Sequence, residues 1–278
     1  MMKKILVPTD FSTSAQYASD YAMHLANLND AEVLFLHIMP IPVDWIPLNH
    51  DQEKFYPDVS KKVRKAQSNL NALTDKAVKL GVRSQSYLHY NDTYQYITNY
   101  AENNNFDLIT MGFRGTNRNN PFFGSNTNRV VRSSNIPVLM ISQPITEIKK
   151  IGFFSDFDKE SHGIAKTLNT FTMITKAELY LVFINTAFNF FDSDTIQDRI
   201  DEFSEKLEYH TGYIIHNDHS IQLGIDNVCK KKNIDLIVMA PYGKTSIDRL
   251  FYGSYTESVI NHTNKSILSI PMSMAFSI

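Results

Sequence analysis

The sequence predicts an α/β protein of two tandem domains, residues 1–145 and 146–278, each an open five-stranded parallel sheet with helices on both faces. Three observations support this prediction. The chain has 278 residues, the length of two average domains. A set of short motifs occurs twice in the same order. In both copies, apolar runs alternate with segments of helical periodicity, which is typical of a parallel sheet with right-handed crossovers.

An internal duplication is visible in four pairs of segments. The members of a pair share an apolar pattern, and the pairs keep one order along the chain. They are Lys3–Phe11 with Lys149–Phe157, Ala31–Ile38 with Ala177–Ile184, Phe106–Met111 with Ile234–Met239, and Val138–Ile141 with Ile267–Ile270. The separation shortens after the second pair, so the first copy holds extra chain there. Met39–His50, with three prolines and the only tryptophan, is predicted to be a long loop that covers a neighbouring surface.

The elements of each copy follow from hydrophobic patterning. Short apolar runs predict strands at Lys4–Pro8, Val33–Ile38, Gln85–His89, Leu108–Met111 and Val138–Ile141. Helical periodicity predicts helices at Ser14–Leu28, Asp58–Leu80, Thr93–Asn103 and after Gly124. Ser12 and Ser14 supply capping hydroxyls, and Gly81 stands where a left-handed C-cap is expected. The second copy repeats the order, with Gly212 expected to end its long helix before a strand at Tyr213–His216.

Composition excludes several classes of protein. Lys plus Arg is 27 and Asp plus Glu is 29, so the net charge of −2 gives no positive field for non-specific nucleic-acid binding. The N-terminal apolar run ends at Pro8, too early for a signal peptide, and no apolar stretch approaches the roughly 18 residues that cross a bilayer. We therefore expect a soluble, cytoplasmic protein without nucleic-acid or membrane partners. Cys229 is the single cysteine, which excludes an internal disulfide, and we expect it to be a buried core residue without a reactive role.

Candidate binding residues stand at the carboxyl ends of the first and fourth strands, where open parallel sheets bind ligands. Glycines let backbone approach a polyanion closely, and a Gly-Ser helix start presents N–H groups and a hydroxyl to phosphate. The alternative is that these residues only shape a turn and cap a helix. The candidates after the fourth strands are Gly112, Gly115, Gly124 and Ser125 in the first copy, and Gly243, Gly253 and Ser254 in the second.

An aspartate follows the first strand of each copy, Asp10 and Asp156. One interpretation is a cap for the next helix. The other is a carboxylate at the mouth of the ligand crevice, near a ribose hydroxyl or a metal that bridges phosphates. The residue pattern leaves both open.

Other motifs are excluded by their context. Gly243-Lys244-Thr245 resembles the end of a P-loop, but the position five before it is Val238, and a P-loop follows the first strand of its unit. No Gly-x-Gly-x-x-Gly follows the first strand either. The nine histidines show no metal-ligand spacing, and we expect His37, His89 and His216 to pack at the edge of the core. No nucleophile–base pair is supported, so no catalysis is predicted.

In combination, these motifs resemble the universal stress protein family in its tandem two-domain bacterial form. The resemblance covers nearly the whole chain and rests on Ile5–Asp10, Asp107–Gly115 and the two Gly-Ser helix starts. It implies two Rossmann-like domains of the adenine nucleotide alpha hydrolase-like type, and an ATP site with the pattern Gly-x2-Gly-x9-Gly-Ser/Thr. The implied site residues are Pro8, Thr9, Asp10, Ile38 (against adenine), Met111, Gly112, Arg114, Gly115, Gly124, Ser125, Asn126 and Thr127 in the first copy. In the second copy they are Asp156, Ile184, Met239, Gly243, Gly253, Ser254 and Thr256.

Both copies depart from the family pattern. The first has eight residues, Thr116–Phe123, where the pattern has nine. The second has Ala240 in place of the first glycine, Tyr242 in place of Arg114, and Phe154 in place of Pro8, where its ring is expected to fill part of the adenine pocket. A surface loop loses one residue more easily than a phosphate seat loses a glycine, so the first copy is expected to be the better ATP site. Gly124→Val should then abolish most binding, and Gly253→Val should do little.

The resemblance implies a non-catalytic stress protein in which ATP, with or without Mg²⁺, alters the conformation of the chain or its affinity for an unknown protein partner. The alternative is an interaction module whose degenerate pockets bind no nucleotide. Slow incidental hydrolysis is compatible with the first interpretation. Single-domain members dimerise, which implies an internal pseudo-dimer with the domains face to face, and leaves a further homodimer open. Val138–Ile141 and Ile267–Ile270 are the expected seam, because their pairing hides two sheet edges.

Overall fold

A computed structural model describes residues 2–46, 48–113, 125–188, 190–240 and 263–271. These residues contain ten strands and eight helices. The strands are β1 Lys4–Pro8, β2 Glu32–Met39, β3 Arg83–Tyr90, β4 Leu108–Gly112, β5 Val138–Ile141, β6 Lys150–Phe154, β7 Glu178–Thr186, β8 Gly212–Asp218, β9 Leu236–Met239 and β10 Ser266–Ser269. The helices are α1 Thr13–Asn29, α2 His50–Glu53, α3 Pro57–Lys79, α4 Tyr94–Asn103, α5 Ser125–Ser133, α6 Ala165–Thr175, α7 Ser193–Ser204 and α8 Ile221–Lys232.

The ten strands form one sheet, in the order β3-β2-β1-β4-β5-β10-β9-β6-β7-β8. The two halves have the same internal strand order, and all neighbours within a half are parallel. At the seam β5 pairs with β10 antiparallel, with Leu139 opposite Leu268. The predicted α/β fold and the predicted pairing of the last strands are thus confirmed. The expected face-to-face arrangement is wrong: the halves lie side by side in one sheet.

The edges of β5 and β10 explain this arrangement. All four residues of each strand are buried, so neither strand has a face turned to water. An unpaired edge on such a strand would leave buried N–H and C=O groups without partners. Continuing the sheet from one half into the other supplies those partners. The boundary that we expect between residues 145 and 146 lies in the connection from β5 to β6, and its position stays a prediction.

Helices cover both faces of the sheet. The first face carries α1, α3, α6 and α7, whose buried residues include Tyr21, Leu70, Phe171 and Phe203. The second face carries α4, α5 and α8. On the first face α1 of the first half packs against α6 of the second, across the seam. The two halves therefore share one core layer as well as one sheet.

Most predicted elements lie within about two residues of the observed ones, and several details are confirmed. Ser12 is the N-cap of α1, because its hydroxyl accepts a hydrogen bond from the Ala15 N–H group at 3.3 Å. Gly81 has a φ of +75°, the left-handed conformation expected after α3. Cys229 is buried, and burial raises the pKa of its thiol to about 12, so it is a packed residue rather than a reactive one.

The prediction for Gly212 is wrong. The helix before it, α7, already ends at Ser204, and Gly212 begins β8 instead. The connecting chain is held to the second half by other groups: Glu208 N–H donates to the Asn169 side chain at 3.0 Å, and Thr211 N–H donates to Leu179 O at 2.7 Å. Thr211 thus joins the sheet before Gly212, so no C-cap is needed there.

The segment after β2 covers part of the first face, as expected for the extra chain of the first copy. Ile41 and Trp45 of this segment, together with Met39 at the end of β2, form a small buried cluster with Val59 and Ala66 of α3. The segment also contains the short helix α2, which begins with a capping box between Asn49 and Gln52. None of the described helices is both long and apolar enough to cross a bilayer.

Candidate functional site

The carboxyl ends of β1 and β4 lie side by side, because these two strands pair in parallel. β2 continues the sheet on the other side of β1, so the chain order reverses between β1 and β4. A crevice opens at such a reversal, since the connections leave the sheet toward opposite faces. The predicted residues Pro8–Asp10 and Met111–Gly112 are therefore brought together at the one place in the first half where the topology favours a ligand.

A tight turn after β1 fixes Asp10 at this crevice. Phe11 has a φ of +61°, a left-handed conformation that residues other than glycine rarely adopt. Two hydrogen bonds hold the turn: Phe11 N–H donates to Thr9 Oγ1 at 3.0 Å, and Ser12 N–H donates to Asp10 Oδ1 at 2.9 Å. Asp10 supports the entry to α1 without being its N-cap, and its side chain stays exposed at the crevice. The interpretation of Asp10 as the cap of the next helix is therefore wrong, since Ser12 holds that place, and the carboxylate lies at the crevice.

Gly112 allows α1 to approach the end of β4. A Cβ atom at this position would lie 2.3 to 2.5 Å from three backbone atoms of Ser14 and Ala15. Backbone at the start of a helix cannot move aside as a flexible side chain can. The glycine is therefore required for packing between strand and helix, and it brings the first turn of α1 into the wall of the crevice.

The start of α5 closes another side. Thr127, in its first turn, is buried, and its hydroxyl lies 3.5 Å from Gly112 O, to which it donates. Two residues further, the Arg129 guanidinium lies 5.4 Å from the centre of the Tyr94 ring at the start of α4. This cation–π contact joins α4 and α5 across the mouth of the crevice.

Together these elements enclose a cleft of about 730 Å³, within the size range of small-molecule sites. The predicted residues that line it are Pro8, Thr9, Asp10, Ile38, Met111, Gly112, Asn126 and Thr127. Lining residues that the sequence prediction did not include are Ser12, Ser14, Ala15, Leu36, Pro40, Asp92, Thr93, Tyr94, Ile97, Phe113 and Arg129. Of these, only Ser12, Ser14 and Ala15 lie close enough in sequence to Asp10 to be found from the motif after β1.

Several predicted residues cannot be placed. Arg114, Gly115, Gly124, Gly243, Gly253, Ser254, Thr256 and Tyr242 lie outside the described residues. Ser125 begins α5, but its side chain also lies outside the description. The proposed phosphate seat is thus described only by its helix starts and by Gly112.

In the second half, the described part of the corresponding region is packed more tightly around Ile184. Ile184, the counterpart of Ile38, is buried, and a Cβ atom at Gly224 of α8 would lie 2.4 Å from its Cγ2 atom. The helix therefore rests directly on this side chain. By contrast, the helix of the first half carries Ile97 at the equivalent position, and Ile38 remains partly exposed to the cleft.

Asp156, Met239 and Phe154, the other second-half residues considered for the site, each contact neighbouring residues of that half. Arg199 donates to Asp156 O at 3.3 Å, and its guanidinium lies 4.2 Å from the centre of the Phe191 ring. Met239 is buried at the end of β9. The Phe154 ring turns back along β6, with Cε2 at 2.8 Å from where a Gly152 Cβ would lie. We expected this ring in an adenine pocket; it covers Gly152 because that residue has no side chain.

The three strand histidines are partly buried and hydrogen-bonded, as expected for the edge of the core. His37 Nδ1 donates to Thr9 O at 2.7 Å. His89 Nε2 lies 3.1 Å from Asp92, and His216 Nε2 lies 3.3 Å from Asp218. Among the residues that the structure describes, no three His, Cys, Asp or Glu side chains come together as a metal site.

Comparisons with known proteins agree with this architecture. The sequence model of the universal stress protein family matches residues 1–142 and 176–271. Universal stress protein MJ0577 of Methanocaldococcus jannaschii is 28% identical over 156 residues, which are 51% of this chain and 96% of that protein. Universal stress protein YxiE of Bacillus subtilis is 28% identical over 147 residues, 51% of this chain and 99% of that protein. Each of these relatives thus corresponds to about half of the chain.

Several solved structures match both halves together. A universal stress protein from Archaeoglobus fulgidus has a TM-score of 0.75, and the alignment covers 97% of this chain and 98% of that chain at 20% identity. At this identity the likeness concerns the fold. Two α/β units joined in one chain are therefore an arrangement that this sequence shares with another protein.

Proposed function

This chain belongs to the universal stress protein family, and on that premise we propose that its first half binds ATP in the cleft between the ends of β1 and β4. The observation that carries the proposal is the cleft itself. It lies at the reversal of strand order, and eight residues of the implied ATP site line it. The proposal includes the domain limits 1–145 and 146–278.

One wall of the cleft suits a flat aromatic base. Leu36, Ile38, Ile97 and Met111 present apolar atoms from two strands and a helix, and Pro8 adds a rigid ring at the end of β1. Ligand sites typically combine such an apolar lining with a few polar groups that fix orientation. We assign this wall to adenine.

The opposite wall suits phosphates. The first turns of α1 and α5 both border the cleft, through Ser12, Ser14 and Thr127. A helix start carries partial positive charge and backbone N–H groups that favour anions, and two such starts meet here. Arg129 adds a permanent positive charge. We assign this wall, continued by the predicted glycines, to the phosphate chain.

Asp10 stands between the two walls. Its Oδ1 atom already accepts the Ser12 N–H hydrogen bond, and the exposed carboxylate retains acceptor capacity for a ribose hydroxyl. Mg²⁺ is usually held by one or two carboxylates together with substrate phosphates, and Asp10 is suited to that role as well. The proposal does not require the metal.

Binding without catalysis is the second part of the proposal. The described residues that line the cleft include no histidine, lysine or cysteine, and their only carboxylates are Asp10 and Asp92. Occupancy acts instead through α1, whose first turn forms a wall of the cleft and whose body packs against α6 of the other half. A nucleotide that shifts α1 therefore changes the contact between the halves, and with it the surface offered to a partner.

A matched pair of variants tests the assignment. Asp10→Asn keeps an acceptor for the Ser12 N–H group but removes the charge offered to the nucleotide. Since a hydrogen bond to a charged group is worth about 1.5–3 kcal/mol, ATP affinity should fall about tenfold or more. Asp156→Asn, the equivalent change in the second half, should leave affinity unchanged. Equal losses in both variants, or a loss only in Asp156→Asn, would contradict the assignment to the first half.

A further inference from the structure

Helices α3 and α7 carry opposite charge at equivalent places in the two halves. Each follows the second strand of its half, and both lie on the first face of the sheet, on either side of the central pair α1 and α6. Their buried sides join the same core layer. Their outer sides have diverged, although both derive from one duplicated unit.

The outer side of α3 is positive. Lys61, Lys62, Arg64 and Lys65, which we call the basic surface, are all exposed. In the part of the chain that the structure describes, none of the four has an ion-pair partner. Beside them a cavity of about 370 Å³ is lined by Lys54, Lys61 and Arg64 together with Glu53, Pro57 and Ser60. Lys54 is paired with Asp51 at 2.7 Å, so Lys61 and Arg64 are the cations of this cavity that can receive a carboxylate side chain.

The outer side of α7 is negative. Asp194, Asp198, Asp201, Glu202 and Glu205, which we call the acidic surface, are all exposed. No ion pair involves any of them within the described residues. The only arginine of this helix, Arg199, turns away toward Phe191 and Asp156 O. The acidic surface therefore remains unneutralised.

Exposed apolar side chains accompany both surfaces. Ile46 and Phe55, shortly before α3, are 74% and 80% exposed. Phe188 and Phe190, shortly before α7, are 99% and 71% exposed. Large exposed apolar side chains, aromatic ones above all, are typical of an interaction surface.

We propose that a second copy of this chain binds here, with the basic surface of each copy against the acidic surface of the other. Because α3 and α7 flank the same face, a two-fold axis parallel to the strands and over the seam places α3 of one copy opposite α7 of its partner at both ends. This closes a symmetric dimer with two identical contacts. The other face-to-face orientation would place like charges together and is disfavoured.

Sedimentation velocity of the full chain tests the proposal. The wild-type protein should form a dimer at low ionic strength and dissociate as salt is added, because exposed charge pairs are screened. Two charge-reversed variants are compared with it, K61E/R64E on the basic surface and D198K/E202K on the acidic surface. Each alone should dimerise at least tenfold more weakly than the wild type. An equimolar mixture of the two should recover the dimer, since both contacts again join opposite charges.

Circular dichroism confirms that each variant is folded, as expected for substitutions at exposed positions. The proposal fails if the wild type is monomeric at low salt, if either variant dimerises like the wild type, or if the mixture stays monomeric. Species that grow beyond a dimer would also contradict the closed two-fold arrangement. A monomeric wild type that binds vesicles rich in phosphatidylserine, with loss of binding in K61E/R64E, would instead assign the basic surface to a membrane.

Discussion

Gly112 has a role in packing as well as in the proposed binding site. The sequence marked this glycine as a place where backbone approaches a phosphate, and the structure shows that backbone of α1 approaches it as well. Glycine spacing cannot distinguish approach by a phosphate from approach by helix backbone, because either one requires a residue without a side chain. The second half has Ala240 at this position, and its corresponding helix begins as a 3₁₀ turn at Lys159–Ile164.

Gly112→Ala should therefore destabilise the protein even without nucleotide. The new methyl group would collide with helix backbone, and overpacking of this kind costs about 1–3 kcal/mol. The matched control is Ala240→Gly, which should change the free energy of unfolding by less than about 1 kcal/mol. Urea unfolding of both variants measures the difference. An unfolding free energy for Gly112→Ala equal to that of the wild type would show that α1 does not pack here as described.

Other cleft residues were beyond the reach of sequence patterns. Arg129 and Tyr94 belong to α5 and α4, which are separated in sequence by β4, and they meet only through packing on the second face. Neither belongs to a recognisable motif. By contrast, Asp10 was found because it follows a predicted strand, where topology alone places a crevice. Pro8 and Met111, at the ends of predicted strands, were implied by the family resemblance.

Helices and strands were predictable where one signal dominated. The apolar runs of β1 and β5 and the periodicity of α3 gave bounds within about two residues of those observed. Gly81 and Gly212 carried the same signal, a glycine before a strand, yet only Gly81 has positive φ. The sequence could not distinguish these two glycines. The shorter length of α7 depends on long-range hydrogen bonds that hold residues 205–211 to the second half.

These two glycines make a second matched pair. No atom lies within 4 Å of a Cβ built on either one, so an added methyl group meets no steric obstacle. Gly81→Ala should still cost about 1–2 kcal/mol, because alanine is strained in the left-handed conformation. Gly212→Ala should be neutral or stabilise by up to about 1 kcal/mol, through the loss of freedom in the unfolded chain. Thermal unfolding that lowers both melting temperatures equally would contradict this distinction.

The whole chain is an unequal duplication within one continuous sheet. The repeat predicted two units of the same topology, and the pairing of β5 with β10 was expected because it hides two sheet edges. What the repeat could not predict is how far the halves have diverged. In the second half Gly224 lets α8 rest on Ile184, and Phe154 covers Gly152. In the first half the equivalent region borders a cleft of about 730 Å³.

This asymmetry leads to the most direct test, a calorimetric titration of the wild-type chain with Mg-ATP. If the first half alone retains a working cleft, the protein should bind one nucleotide per chain, with a single binding isotherm. Two nucleotides per chain would show that the second half also binds a ligand, although α8 packs on Ile184 there. No binding at all would contradict the central claim and leave the chain as an interaction module without a nucleotide.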